Sequence, residues 1–324
     1  MPELPEVETV RLGLVSLIVG KSITKITHDW AKSFPNPETE VSKFAIGAEI
    51  VDVRRRAKVL MIDLSTGYTF VIHLKMTGQL VFVGQRKTLK SKSEILKNNK
   101  NKKEKNLGFG PHDLEFSETE TRFGAGHPNN SLVGNLPDKS TRVDFFLGDS
   151  EHLYFNDQRK FGWVRLMPTI AVAEIDFMKK VGPEPLEEDF RPKVLIKRLQ
   201  KRKNSSIKAA LLDQTVLAGV GNIYADESLW GASIHPASLV RDLSNARLTK
   251  LHSEIIYVLK LSIEKGGSTD RNYVNAEGKR GSYIDFARVF RKEGTPCPRC
   301  QTTIIKTRVA GRGTHLCPSC QEKL

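Results

Sequence analysis

Apolar positions early in the chain fall at three- and four-residue spacing. Val7, Val10, Leu14 and Leu17 predict one amphipathic helix that ends near Gly20. Short runs rich in branched and aromatic residues follow at 59–64, 68–74 and 80–83, and again at 143–147, 152–155 and 164–167. Turn residues separate them, and Gly148-Asp149-Ser150 reads as a hairpin turn. Many short strands with turn signals predict a β-sandwich or barrel packed against the leading helix.

The pattern changes at Val181-Gly182-Pro183-Glu184-Pro185, a Pro-rich joint between two units. Beyond it the apolar spacing is helical at 194–200, 207–214, 223–230 and 248–263, with Gly219-Val220-Gly221-Asn222 between two of these segments. All four cysteines lie near the end, as Cys297-Pro-Arg-Cys300 and Cys317-Pro-Ser-Cys320, with 16 residues between the pairs. Two such knuckles complete a tetrahedral thiolate site for one structural Zn²⁺, a better fit to this spacing than a disulfide or a redox pair.

The 324 residues carry a formal charge of +14, which favours a polyanionic partner. The segment 85–106 supplies nine Lys/Arg against Glu94 and Glu104, and half the surplus comes from there. It lacks periodicity, as does the Gly-, Pro- and Asn-rich stretch up to about 135, so 85–136 reads as a basic, solvated insertion. No apolar run is long enough to cross a bilayer, and the acidic start MPELPEVET is unlike a secretory signal, so the expected location is cytoplasmic, with no membrane partner. No heptads occur, and the expected state is a monomer.

Met1 precedes Pro2, a small residue that permits removal of the initiator; processing exposes a secondary amine able to attack an activated sugar carbon. Glu3 and Glu6 stand beside that amine and, taken alone, suit a helix start. Eight motifs in order change the picture. MPELPEVET (1–9), RRAK (55–58), HLKMTG (73–78), RKFG (159–162), GPEPL (182–186), GVGNIYA (219–225), SIEKGGST (262–269) and the terminal cysteine unit together resemble the bacterial formamidopyrimidine-DNA glycosylase family, a relative of endonuclease VIII. PELPE, in place of the PEGPE of the endonuclease VIII branch, places the resemblance in the formamidopyrimidine branch.

The resemblance implies an α+β fold: an N-terminal β-sandwich with a leading helix (1–180), a helix–two-turn–helix domain (181–284) and a zinc ribbon (285–324). It implies a bifunctional glycosylase and lyase of base excision repair that acts on damaged double-stranded DNA in the bacterial nucleoid and removes oxidised purines. Pro2 matches the family nucleophile, Glu3 its acid/base, and Lys58 and Arg312 its phosphate-side catalytic cations. Met76, Arg159 and Phe161 match the side chains that refill the stack after the nucleotide is flipped. Asn222 matches a DNA contact that can also cap its helix. The stretch 266–283 corresponds to a loop that covers the flipped base. Cys297, Cys300, Cys317 and Cys320 match the zinc ligands.

Two positions depart from the family pattern. Arg142 stands where the family often has a histidine, and an arginine there is expected to hold a phosphate. Asp157-Gln158-Arg159-Lys160-Phe161-Gly162 lacks the family's proline after the aspartate but keeps the Arg and Phe. The alternatives to oxidised purines are an endonuclease VIII-like activity on oxidised pyrimidines and a non-catalytic binder of damaged DNA.

Overall fold

The computed structural model describes residues 2–89, 116–127, 130–148, 150–268 and 283–323, with backbone alone at 85–89 and 116–120. The expected first helix is α1, Leu4–Ile18, started by a reciprocal capping box between Glu3 and Glu6. Its buried stripe is Val7, Val10, Leu14 and Ile18, with Leu17 only partly covered.

Among the described residues nine strands follow: β1 (Ile23–His28), β2 (Ile50–Arg56), β3 (Val59–Leu64), β4 (Tyr68–His73), β5 (Gly78–Leu89), β6 (Phe116–Gly126), β7 (Thr141–Leu147), β8 (Glu151–Asp157) and β9 (Trp163–Pro168). They form two antiparallel sheets, ordered β1-β7-β8-β5-β6 and β2-β3-β4-β9. One core joins them: Leu60, Ile62, Phe70 and Ile72 meet Leu80, Phe82, Phe145 and Phe155, with α1 along the side. This is the expected sandwich.

The structure corrects the reading of 85–136 as lacking elements. β5 continues to Leu89 and pairs along its length with β6, from Gln79 opposite Gly126 to Leu89 opposite Phe116. β6 escaped notice because its first half, Phe-Ser-Glu-Thr-Glu-Thr, carries few apolar residues. Cross-strand backbone pairing, which has no apolar signature, defines it. The lysine-rich stretch from Lys90 to Lys105 lies outside the described residues. β1, β2 and the short helix α2 (Glu38–Phe44) also had no recognised pattern.

After α3 (Asp176–Lys180) the Pro-rich joint is packed rather than loose. Glu184, buried, accepts from the backbone N–H of Ala57 and pairs with Arg55 at 2.9 Å, while Arg56 donates to the Gly182 carbonyl at 2.8 Å. The helices are α4 (Pro192–Gln200), α5 (Ile207–Leu212), α6 (Asn222–Gly231), α7 (Asn245–Glu264) and α8 (Tyr283–Phe286). They enclose a second core around Leu211, Tyr224, Leu229, Leu251 and Ile255. The chain ends in the hairpin β10 (Ile305–Val309) and β11 (Arg312–Leu316). Ala310 and Gly311, both at positive φ, make its tight turn. Among the described residues, no helix is long and apolar enough to cross a membrane.

Candidate active site

The start of α1 is pressed against the loop that begins α6. Leu4 donates its N–H to the Gly219 carbonyl at 3.0 Å. Gly219 adopts φ +78°, and a Cβ there would lie 2.6 Å from Leu4. At Gly221 a Cβ would come within 2.2 to 2.6 Å of the Glu3 carboxylate. The two glycines therefore let the N-terminus approach closely.

Pro2 and Glu3 are buried in this contact. Glu3 Oε1 accepts the N–H of Ile223 at 3.2 Å, so one carboxylate serves the starts of two helices, α1 and α6. Its Oε2 is buried with no hydrogen-bond partner. Burial pushes the Glu3 pKa up to about 7; the positive charge of Lys58 opposes the shift and the neighbouring Glu6 reinforces it. A carboxyl poised near neutrality with a free oxygen is equipped to give and take protons.

Lys58 lies in the turn between β2 and β3, after Ala57 at φ +52°. It does not extend the strand face of Leu60 and Ile62, which point into the sandwich core. Its buried Nζ instead crosses to the helical unit and donates to the Val220 carbonyl at 3.0 Å. Burial lowers its pKa, with Glu3 and Glu6 opposing. Glu6 receives the Glu3 N–H at 2.7 Å, and its other oxygen accepts from the Tyr224 hydroxyl and from both the N–H and hydroxyl of Ser268. The first residues of the expected base-covering stretch, 266–283, are thus tied to the N-terminus; 269–282 lies outside the described residues.

The ribbon reaches the same place. Lys208 and Asp226, both fully buried, form an ion pair at 2.6 Å, and Lys208 also donates to the Gly313 carbonyl at 3.2 Å and the Thr314 hydroxyl at 2.7 Å. Asp226 accepts the His315 N–H at 2.9 Å. Asn222 does not cap α6, whose N-cap is Gly221; its amide donates to Gly313 at 3.0 Å. These bonds hold exposed Arg312, one residue before Gly313, with its charge felt at Lys58 and Lys208.

A second cluster stands on the surface. Met76 is 42% exposed and Phe161 53%. Arg159 lies between them, its guanidinium 3.4 Å from the Met76 sulfur and 5.1 Å from the centre of the Phe161 ring. The three residues singled out for refilling a base stack are therefore adjacent, on the turns β4–β5 and β8–β9. Arg142, expected to hold a phosphate, lies apart from this exposed cluster. It is buried, and its guanidinium donates to the Asp157 carbonyl at 2.9 Å, to the Lys139 carbonyl and to Asp29. Three of its N–H groups are thus bonded inside the protein, at a position where the sequence led us to expect a phosphate contact.

A family model for the formamidopyrimidine-DNA glycosylase N-terminal domain matches residues 1–164, and one for the H2TH domain of the same enzymes matches 181–273. A formamidopyrimidine-DNA glycosylase of Pediococcus pentosaceus is 37% identical over 322 residues, 99% of each chain. The chain belongs to the formamidopyrimidine-DNA glycosylase family. It is accordingly an enzyme, a DNA glycosylase of base excision repair. A mutant Lactococcus lactis FPG in complex with Fapy-dG containing DNA superposes with TM-score 0.78 at 32% identity, covering 99% of this chain and 100% of that one. The wild-type Lactococcus lactis protein with an oxidised pyrimidine containing DNA gives 0.77 at 31%, with the same coverage.

The family's terminal module, a zinc finger found in FPG and IleRS, matches 294–323. Cys297, Cys300, Cys317 and Cys320 bring their sulfurs within 4.8 Å of one another, with Cys297–Cys320 at 3.9 Å and Cys300–Cys317 at 3.4 Å. A tetrahedron with Zn–S of about 2.3 Å has edges of about 3.8 Å, so the four fit one zinc with no position left for a substrate. The zinc is structural.

Sequence reasoning passed over Glu184, Lys208, Gln214, Tyr224 and Asp226, although all position this site. One signal was available: Lys208 shares a helix face with Leu211, where an apolar residue would otherwise sit. Gln214 fixes the glycine loop by accepting from Gly219 and donating to Val220, at 2.9 Å each, and loop residues carry no periodicity by which to find it.

Proposed function

We propose that this glycosylase removes oxidised purines such as 8-oxoguanine and formamidopyrimidines, using Pro2 as a covalent nucleophile and then cleaving the strand by β- and δ-elimination. Once Met1 is removed, the Pro2 nitrogen attacks C1′, the base departs with its bonding electrons and a proton, and an iminium remains on the opened sugar. The iminium withdraws electrons and acidifies the C2′ proton. Loss of that proton expels the 3′ phosphate, and a second elimination expels the 5′ phosphate. Glu3 protonates the sugar ring oxygen as it opens. Lys58 and Arg312 hold the flanking phosphates; Met76, Arg159 and Phe161 occupy the space vacated by the flipped nucleotide.

The observation that carries this reading is the buried Glu3 carboxyl, shifted towards neutrality and with one oxygen free, beside the chain start. A protein that only bound damaged DNA would have no use for a desolvated acid at that point. Removal of oxidised pyrimidines is the second reading, because the Lactococcus lactis relative has been seen with such a DNA.

Borohydride trapping tests both. The purified protein should form a covalent adduct with duplex DNA carrying 8-oxoguanine opposite cytosine, and Pro2→Gly should abolish it. An adduct with thymine glycol alone moves the protein to oxidised pyrimidines. No adduct with any lesion, despite binding, refutes the covalent mechanism.

A further inference from the structure

Met76, Arg159 and Phe161 present apolar and cationic tips to solvent, so packing at those tips does little to hold them in place. Their geometry has to be set at the base of the two turns that carry them. There the structure converges on one fully buried carboxylate, Asp157, the last residue of β8. Its Oδ1 accepts from the hydroxyl of Thr77, next to Met76, and from the N–H of Arg159 at 3.2 Å. The Arg159 N–H is shared with the Thr77 hydroxyl at 3.1 Å. Its Oδ2 accepts the Gly162 N–H, next to Phe161, at 2.6 Å.

The backbone of Asp157 is held as firmly. Its N–H donates to the Ser140 carbonyl at 2.7 Å, and its carbonyl accepts from Arg142 Nε at 2.9 Å. Each turn also contains a non-glycine residue in the left-handed region, Lys75 at φ +51° and Lys160 at +57°. Such conformations persist where surrounding bonds over-determine them. Gly162 fits only without a side chain, since a Cβ there would lie 2.7 Å from the Phe155 ring and 3.1 Å from Asp157.

We propose that Asp157 is the positioning residue of the Met76–Arg159–Phe161 cluster, locking its two turns into one rigid wedge, and that Arg142 braces Asp157 from behind. This deepens the proposed function: a wedge made of two turns can refill a base stack only if both arrive together. Loosening the base should slow extrusion of a stacked nucleotide while sparing chemistry on a sugar that has already lost its base. A displacement of about 1 Å in a positioned group can cost on the order of a hundredfold.

The test compares wild type, Asp157→Asn and Thr77→Val on two duplexes, one with 8-oxoguanine opposite cytosine and one with a preformed abasic site. The Asn amide keeps the shape but offers one acceptor oxygen in place of two. Its kcat/KM on the damaged base should fall at least about tenfold, with cleavage at the abasic site within about threefold of wild type. A 2-aminopurine beside the lesion should brighten more slowly on mixing. Thr77→Val leaves the carboxylate in place and should show the same split at smaller size; it decides the matter if Asp157→Asn does not fold. Equal loss on both duplexes, or wild-type behaviour on both, overturns the proposal. Failure of the covalent mechanism is separate, because it appears as absence of a borohydride adduct in the wild type.

Discussion

Glu3 accepts the backbone N–H of Ile223 at 3.2 Å, across 220 residues of chain. The bond places the acid at the N-terminal end of α6 and joins the two halves of the molecule at the site itself. Helix dipoles and the N–H favour the charged form, yet burial outweighs them and the pKa rises to about 7. Acting as an acid in ring opening, Glu3 must be protonated, so base removal should decline as pH rises through about 7. Glu3→Gln should lose that limb along with most activity, as read from single-turnover rates between pH 5.5 and 8.5. Stability carries the same signature. A carboxyl whose folded pKa exceeds its unfolded value of 4.5 costs nothing below 4.5, and its cost grows until pH passes 7. At pH 8, Glu3→Gln should therefore be more stable than wild type by up to about 3 kcal/mol, measured by urea unfolding.

Lys58 should be separable from stability. The Val220 carbonyl that it bonds also accepts from Gln214 at 2.9 Å, so Lys58→Met leaves that oxygen satisfied and removes a desolvated amine. Folding stability should change by less than about 1 kcal/mol. Strand cleavage should fall by about a hundredfold or more if the amine supports catalysis beside the reacting sugar. Denaturant melts and cleavage assays on one preparation check both.

The Lys208–Asp226 pair ties α5, α6 and the ribbon together at zero exposure. Removing one partner strands a buried charge, so Asp226→Ala should cost about 3 to 5 kcal/mol. Replacing both, as in Lys208→Met with Asp226→Leu, should restore much of that stability. It should not restore DNA affinity, because the Lys208 bonds to Gly313 and Thr314 beside Arg312 remain lost. Calorimetry and binding titrations distinguish the two effects.

Chelation of the zinc should unfold the ribbon while leaving the sandwich intact, since the cysteine cluster and the N-terminal core share no residues. DNA binding should disappear with Arg312 released, while the circular dichroism of the strands persists. Parallel loss of both signals would show that the ribbon also stabilises the sandwich.

The elements that bury a face were legible from the chain alone. Periodicity located α1, most core strands and the long helices, because a buried stripe repeats at the period of its own backbone. Ordered motifs and the cysteine spacing identified the family and the zinc, because metal geometry and covalent chemistry restrict residue type at short range. Strand β6 escaped because ladder bonds are made by backbone that every residue shares.

What only the tertiary structure decided are the relations between distant segments. Arg142 was expected to hold a phosphate, whereas the fold surrounds its guanidinium with internal acceptors, Asp157, Asp29 and Lys139, which no local pattern records. Lys58 matched a phosphate-side cation by motif, but that it reaches the Val220 carbonyl from the β2–β3 turn only the fold shows. Asp157 stood at the head of a matched motif, but its partners Thr77 and Gly162 became visible only once folding brought the two turns together. Local pattern records which residues avoid water; long-range closure determines which polar groups find each other once water is gone.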